Sequence, residues 1–184
     1  QGRKFRRLFV APIGRRLVVA DYSQIEVRVG GMIANEPVLA EMFSSGHDVH
    51  AATAATMFGV KSDQVTKDQR SSAKAITFGM QYGMGTESLA RFLGIDENEA
   101  QDMMRQWEKT FPKVVKWRRG HAKSVRSRTS KQRKEGKPRV MYMTSGRTIQ
   151  FDYPPSPQAC YNYPVQGTAG DVMYAALAEL DRRL

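Results

Sequence analysis

Four side chains at strict four-residue intervals, Arg70, Lys74, Phe78 and Tyr82, could act together on one ligand. In a helix each such step advances about 400°, so the four form one slowly winding stripe. Two cations one turn apart suit an oligophosphate, Arg as a bidentate fork and Lys as a point charge. The rings that follow offer a flat surface to a base or sugar. The pattern fits a nucleoside triphosphate laid along a helix, although a basic exposed face turning into a buried aromatic end would show the same spacing. Asp21 supplies the kind of carboxylate that phosphoryl-transfer sites use to hold Mg²⁺, and Glu26 follows five residues later. A hard divalent ion that keeps phosphate ligands needs only one or two protein carboxylates. His47 and His50 stand at HxxH spacing, but no third ligand accompanies them, so a structural or phosphate-contacting histidine is the better reading.

The charge is just as local. The 184 residues carry a formal net charge of +11, and the stretch from Lys116 to Arg139 alone holds eleven basic residues against one acid, Glu135. The rest of the chain is nearly neutral, so the excess is one device and points to a polyanionic partner.

Elements must hold these groups in place. Leu17 to Ala20 is a short apolar run ending at Asp21, which reads as a buried strand delivering that carboxylate to a sheet edge. Beyond Ser23, Ile25, Val29 and Ile33 recur at helical spacing until Asn35-Glu36-Pro37 interrupts. An alanine-rich helix from His47 to Phe58 should end at Gly59. Thr66 with Gln69 is a capping box, so a helix should run from about Lys67 to Tyr82 and carry the stripe. Two further helices are punctuated clearly: Thr86 to Leu93, closed by Gly94, and Asp96 to Thr110, closed by Phe111-Pro112. Their apolar positions, Leu89, Phe92, Leu93, Ala100, Met103, Met104 and Trp107, should be core. Between residues 140 and 151, two β-prone stretches flank Ser145-Gly146, the signal of a hairpin with a two-residue connection. Tyr153 to Pro157 reads as a rigid loop. Pro164 should start a last helix with apolar positions Val165, Val172, Ala176 and Leu180.

Composition sets outer bounds. With 41% hydrophobic and 9% aromatic residues and 8 prolines, the chain is that of a folded protein, not a collagen, a mucin stalk or a disordered tail. No apolar run is long enough for a membrane helix, and the N-terminal QGRKFRRLF lacks a signal-peptide core, which implies a soluble, cytoplasmic protein. The one cysteine, Cys160, allows no internal disulfide and no CxxC metal site, so it should pack.

Four ordered segments carry a resemblance. Asp21-Tyr22-Ser23-Gln24-Ile25-Glu26-Val27-Arg28 resembles motif A of the DNA polymerase I family (family A polymerases). Arg70 to Gly79, continuing to Tyr82-Gly83, resembles its motif B. Asp48 to Ala54 and Asn162 to Asp171 resemble two further segments, in the family's order.

The resemblance implies an α+β but mainly helical fold. The palm would comprise residues 1–45 and 140–184, and helical fingers residues 46–139. It implies a DNA-directed DNA polymerase that transfers dNMP from dNTP to a primer 3′-hydroxyl, with primer-template DNA and dNTPs as partners, two Mg²⁺ ions as cofactors and a monomeric full-length form. By the same resemblance, Asp21 would ligate both ions, helped on one by the Tyr22 carbonyl. Arg70 and Lys74 would hold the γ- and α-phosphates and His50 the β-phosphate. Phe78 would pack beside the sugar, and Glu26 with Tyr82 would exclude a ribose 2′-hydroxyl. Arg28, Asn162 and Gln166 would touch primer or template near the nascent pair, supported by Gln24. Two readings compete: a non-catalytic nucleotide- or DNA-binding module derived from a polymerase, and a single-subunit RNA polymerase, against which Glu26 in its setting argues.

The departures matter too. The later His-Asp-Glu motif that supplies the family's second metal carboxylate does not occur in these residues, so the sequence reads as a palm-and-fingers piece of a longer enzyme. The segment from Pro112 to Gly146 is longer and more basic than is usual in the family. Gln158 stands where many members have an arginine that contacts primer-template. The expectation is that the basic run compensates, with Arg126, Arg128, Lys131, Arg133 and Lys134 gripping DNA phosphates.

Overall fold

The computed structural model describes every residue except 1–4, 6, 47 and 184. The described residues form eight α-helices, one short 3₁₀ turn (Ser62–Gln64) and one two-stranded antiparallel sheet. The helices are α1 (Ile25–Ala34), α2 (Pro37–Ser44), α3 (Val49–Phe58), α4 (Lys67–Tyr82), α5 (Thr86–Leu93), α6 (Glu97–Thr110), α7 (Pro112–Lys134) and α8 (Pro157–Arg183). The strands are β1 (Arg139–Tyr142) and β2 (Thr148–Phe151), lying between α7 and α8.

Local signals account for most helix ends. The capping box of α4 is complete: Gln69 N–H donates to Thr66 Oγ1 at 3.1 Å, and Thr66 N–H donates to Gln69 Oε1 at 2.9 Å. Asp96 accepts from Glu99 N–H at 2.9 Å at the start of α6. Asp48 accepts from the N–H groups of His50 and Ala51 at 2.9 and 3.2 Å at the start of α3. Gly59, Gly83 and Gly94 close α3, α4 and α5 in left-handed conformations.

Five expectations need correction. Leu17, Val18 and Val19 form no strand and are exposed. A strand needs a neighbour for its N–H and C=O groups, and the two strands among the described residues pair only with each other. Phe92 is exposed where core was expected. The hairpin loop has three residues, not two: Met143 N–H donates to Arg147 C=O at 2.7 Å, enclosing Thr144, Ser145 and Gly146, with Gly146 at φ +86°. The last helix begins at Pro157, not Pro164, because Ser156 caps it through Ala159 N–H at 3.1 Å; Pro164 then sits buried inside a helix already started. Of that helix's four expected apolar positions, Val165 is core, whereas Val172 and Leu180 are exposed.

The fifth difference is α7. The basic run, read without a secondary structure of its own, continues a 23-residue helix whose buried side is Val114, Ala122, Val125 and Thr129. Glu36 fixes where it starts. This fully buried carboxylate accepts from Val38 N–H at 3.4 Å and from Lys113 N–H at 2.9 Å, capping α2 and α7 together across 77 residues of sequence.

Three apolar clusters hold the elements. The largest joins α1 to α6 and the start of α7, including Val27, Leu39, Ala54, Ile76, Leu89 and Phe111. Inside it Trp107 Nε1 donates to Thr77 Oγ1 at 3.2 Å. The second seats the hairpin on α7 and α8 through Val125, Met141, Met143, Cys160 and Tyr161, so Cys160 does pack. The third joins α1 to α8 through Val29, Val165 and Ala169. Trp117 packs against all three, which ties the second turn of α7 to α1 and α8.

Candidate functional site

Three distant segments meet at a cleft of about 400 Å³ lined by Tyr22, Gln24 and Glu26 from the entry into α1, Phe78 from α4, and Gln166 and Met173 from α8. Gln24 enters α1 in the left-handed region, at φ +55°. For a residue with a Cβ this costs about 1 kcal/mol, and among the described residues only Asn35 shares it outside glycine. Across the cleft wall the Tyr82 hydroxyl donates to Glu26 Oε2, joining α4 to α1. Burial first, and then this bond to a carboxylate, push the Tyr82 pKa up.

The expected stripe is present on α4, and each member has a neighbour. Arg70 reaches back to the cap of α3: its Nε donates to Asp48 Oδ2 at 2.8 Å and a terminal nitrogen lies 2.6 Å from the same oxygen. Burial alone would raise the Asp48 pKa. The Arg70 guanidinium and the N–H groups of Ala51 and His50 outweigh it and hold the carboxyl below its usual range. Lys74 Nζ stands 6.0 Å from the centre of the Phe78 ring, and the centre of the His50 ring lies 5.9 Å from that of Phe78. His50 is buried and its Nδ1 has no partner among the described residues. Burial, with the nearby Lys74 and Arg70 charges, depresses its pKa against the opposing pull of Asp48.

Asp21 is exposed beside Tyr22, and no hydrogen bond or ion pair engages its carboxylate among the described residues. No three His, Cys, Asp or Glu side chains converge there or elsewhere in the described residues. One free carboxylate next to a backbone carbonyl does not make an all-protein cage. It does fit a Mg²⁺ ion that arrives with, and stays bound to, a triphosphate.

The remaining expected residues separate. Gln166 lines the cleft, whereas Asn162 lines a small internal cavity of about 40 Å³ behind it, with Glu26 and Gln81. Arg28 is held by Ser23 C=O at 2.9 Å and stacks its guanidinium 4.1 Å from the centre of the Phe43 ring. Gln158 packs against Gly83. Arg126, Arg128, Lys131, Arg133 and Lys134 are exposed on α7, outside the cleft lining. His47 lies outside the described residues.

Two contributors went unread in the sequence. Asp48 holds Arg70 across 22 residues, and Arg147 donates to Gly167 C=O at 2.9 Å and pairs with Asp171 at 2.9 Å, fixing α8 one residue beyond Gln166. The N-cap position of Asp48, two residues before His50, was the available signal for the first; nothing local marks the second.

A family model for DNA polymerase family A matches residues 1–184, and the chain belongs to that family. Relatives include the thermostable DNA polymerase I of Thermus filiformis, 36% identical over 183 residues, and the DNA polymerase I of Pseudomonas aeruginosa, 37% identical over 192 residues. Each alignment takes in 100% of this chain but 22% and 20% of the relative, so the chain spans about a fifth of their length. Among solved structures, the POL domain of Pol1 from M. smegmatis, in complex with DNA primer-template and dNTP, superposes with a TM-score of 0.72 at 30% identity. That match covers 89% of this chain and 29% of the other. No helix among the described residues is long and apolar enough to cross a membrane.

Proposed function

We propose that these residues form the nucleotide-selecting core of a DNA-directed DNA polymerase, with residues 1–45 and 140–184 as palm and 46–139 as fingers. The convergence of Tyr22, Gln24, Glu26, Phe78 and Gln166 on one cleft, beside the cations of α4, carries this reading.

The incoming dNTP lies along α4. Lys74 and Arg70 bind its phosphates, and Arg70 exchanges Asp48 for a phosphate oxygen. His50, with its unpartnered Nδ1, serves the β-phosphate. Phe78 supports the sugar, and the Tyr82–Glu26 pair fills the space a ribose 2′-hydroxyl would need. Gln166, Asn162 and Arg28 position primer and template, with Gln24 setting the turn that presents Glu26. Asp21 and the Tyr22 carbonyl would hold Mg²⁺, which supplies activation of the primer 3′-hydroxyl and neutralisation of the leaving pyrophosphate. The reaction then adds dNMP to the primer and releases pyrophosphate.

Competition between dNTP and rNTP tests the selection. In the full natural chain, Glu26→Ala should raise rNTP incorporation at least about tenfold, because it removes the carboxylate and frees Tyr82; one hydrogen bond to a charged group is worth roughly 1.5–3 kcal/mol. An unchanged ratio would remove Glu26 from the selecting wall, and rNTP preference in the unsubstituted protein would favour an RNA polymerase.

A further inference from the structure

The exposed side of α7 is organised more tightly than its composition required. Lys116, Lys123, Arg126, Arg133 and Lys134 fall within a sector of about 100° around the helix and span about 27 Å of its length. All five are exposed, and none pairs with a carboxylate among the described residues. The other cations nearby are committed elsewhere or lie outside the sector. Arg119 is held by both oxygens of Glu108 at 2.9 and 3.0 Å, Lys131 lies 3.9 Å from Glu135, and Arg118 stacks on Tyr161 at 4.1 Å. Arg128 lies on the far side of the helix from the row, close enough to His121 for its charge to depress that pKa after burial has done so.

Like charges one turn apart on a helix repel, as Lys123 and Arg126 do here, so the row is no gain to the helix itself. The helix macrodipole explains cations only in the last turn, not Lys116, Lys123 or Arg126. The burial of Ala122 and Val125 against the hairpin and α8, and of Val114 in the largest cluster, holds the helix regardless, and the five row residues stay exposed. No row residue lines the cleft. No aromatic ring stands in the row: Trp117 and His121 stack on each other at 5.3 Å along the opposite flank. Single-strand sites usually combine cations with stacking rings, whereas a ring-free row with interspersed hydroxyls, here Ser127 and Ser130, suits contacts to phosphates alone.

We infer that the Lys116–Lys134 row of α7 is a second DNA contact, which binds the phosphate backbone of duplex DNA outside the cleft and takes no part in the chemistry. It rests on the polymerase reading only for the choice of DNA over other polyanions. The row also revises the expected basic site, keeping Arg126, Arg133 and Lys134, adding Lys116 and Lys123, and leaving Arg128 and Lys131 out.

The test uses the full natural chain carrying Lys116→Gln, Lys123→Gln, Arg126→Gln, Arg133→Gln and Lys134→Gln together. Affinity for a primer-template and for a single-stranded oligonucleotide is measured by fluorescence anisotropy across a salt series. Single-turnover dNMP incorporation is measured at saturating DNA. On duplex DNA, the slope of log K against log salt should become shallower by about 0.9 for each phosphate no longer neutralised, and so by as much as roughly 4.5. The incorporation rate should stay unchanged. An unchanged slope, a change confined to the single strand, or a fall in incorporation rate at saturating DNA would each overturn the inference. Failure of the polymerase reading is separately visible, as no incorporation by the unsubstituted protein, and a changed duplex slope would then still support the second contact.

Discussion

Replacing Gly83 with alanine should damage the end of α4 more than the same change at any other helix-closing glycine among the described residues. Gly83 has φ +75°, and a Cβ there would stand 2.3 Å from the Tyr161 hydroxyl and 2.4 Å from Gln158 Cγ. The left-handed backbone alone costs an alanine about 1–2 kcal/mol. Forcing a methyl into the packed contact adds about 1–3 kcal/mol, since Tyr161 is buried beneath Arg118 and can give little. The expected total is about 2–5 kcal/mol. Gly59 provides the control: at φ +64° with nothing within 4 Å of a Cβ, Gly59→Ala should cost only the backbone part. Amide hydrogen exchange reads both sites in the full natural chain. Met84 N–H donates to Gly79 C=O at 2.8 Å and Val60 N–H to Ala55 C=O at 3.1 Å, so each reports its own helix end. The loss of protection at Met84 should exceed that at Val60 by about 5- to 150-fold, the steric difference converted at 1.4 kcal/mol per tenfold. Adding Gln158→Ala should recover part of the loss but not the backbone part. Equal losses at the two glycines would refute the claim that the α4 terminus is wedged against α8.

Other consequences are simpler to measure. Glu36→Ala strands the N–H groups of Val38 and Lys113 in a buried place and should destabilise the domain by about 2–4 kcal/mol, read as a lower melting temperature; Glu36→Gln, which keeps an acceptor, should lose less. Burial holds the pKa values of His50 and His121 below 6.5, so as pH falls through that value the unfolded chain takes up protons that the native one does not. Stability should therefore be full above about pH 6.5 and decline below it, and His50→Gln with His121→Gln should narrow the difference between melts at about pH 7.5 and 5.5.

What could be read from sequence was local. Thr66 with Gln69, Asp96 with Glu99, and Gly59, Gly83 and Gly94 mark helix ends because each satisfies or frees backbone groups within four residues. The α4 stripe was equally legible, since one helix repeat sets it. What failed needed a partner far along the chain. The run Leu17–Ala20 has strand composition, but composition cannot supply the neighbouring strand it requires. The helix α7 was obscured because its cations swamp the spacing of Val114, Ala122, Val125 and Thr129, and because the carboxylate that starts it, Glu36, is 77 residues away. The Tyr82–Glu26 bond spans 56 residues and Arg70–Asp48 spans 22. Family resemblance anticipated the first pairing, not the second. Pro164 misled because a proline at the first turn and one inside a packed helix look alike in sequence.

The most direct measurement is single-nucleotide primer extension by the full natural chain and by its Asp21→Ala variant, each with Mg²⁺, dNTP and saturating primer-template. Asp21 is the exposed carboxylate next to Tyr22 of the cleft wall, with no partner among the described residues. Losing a metal-holding group worth several kcal/mol in the transition state should slow incorporation about a thousand-fold or more while leaving DNA affinity intact. Extension by the variant at a near-normal rate would contradict the assignment of this cleft as a polymerase site.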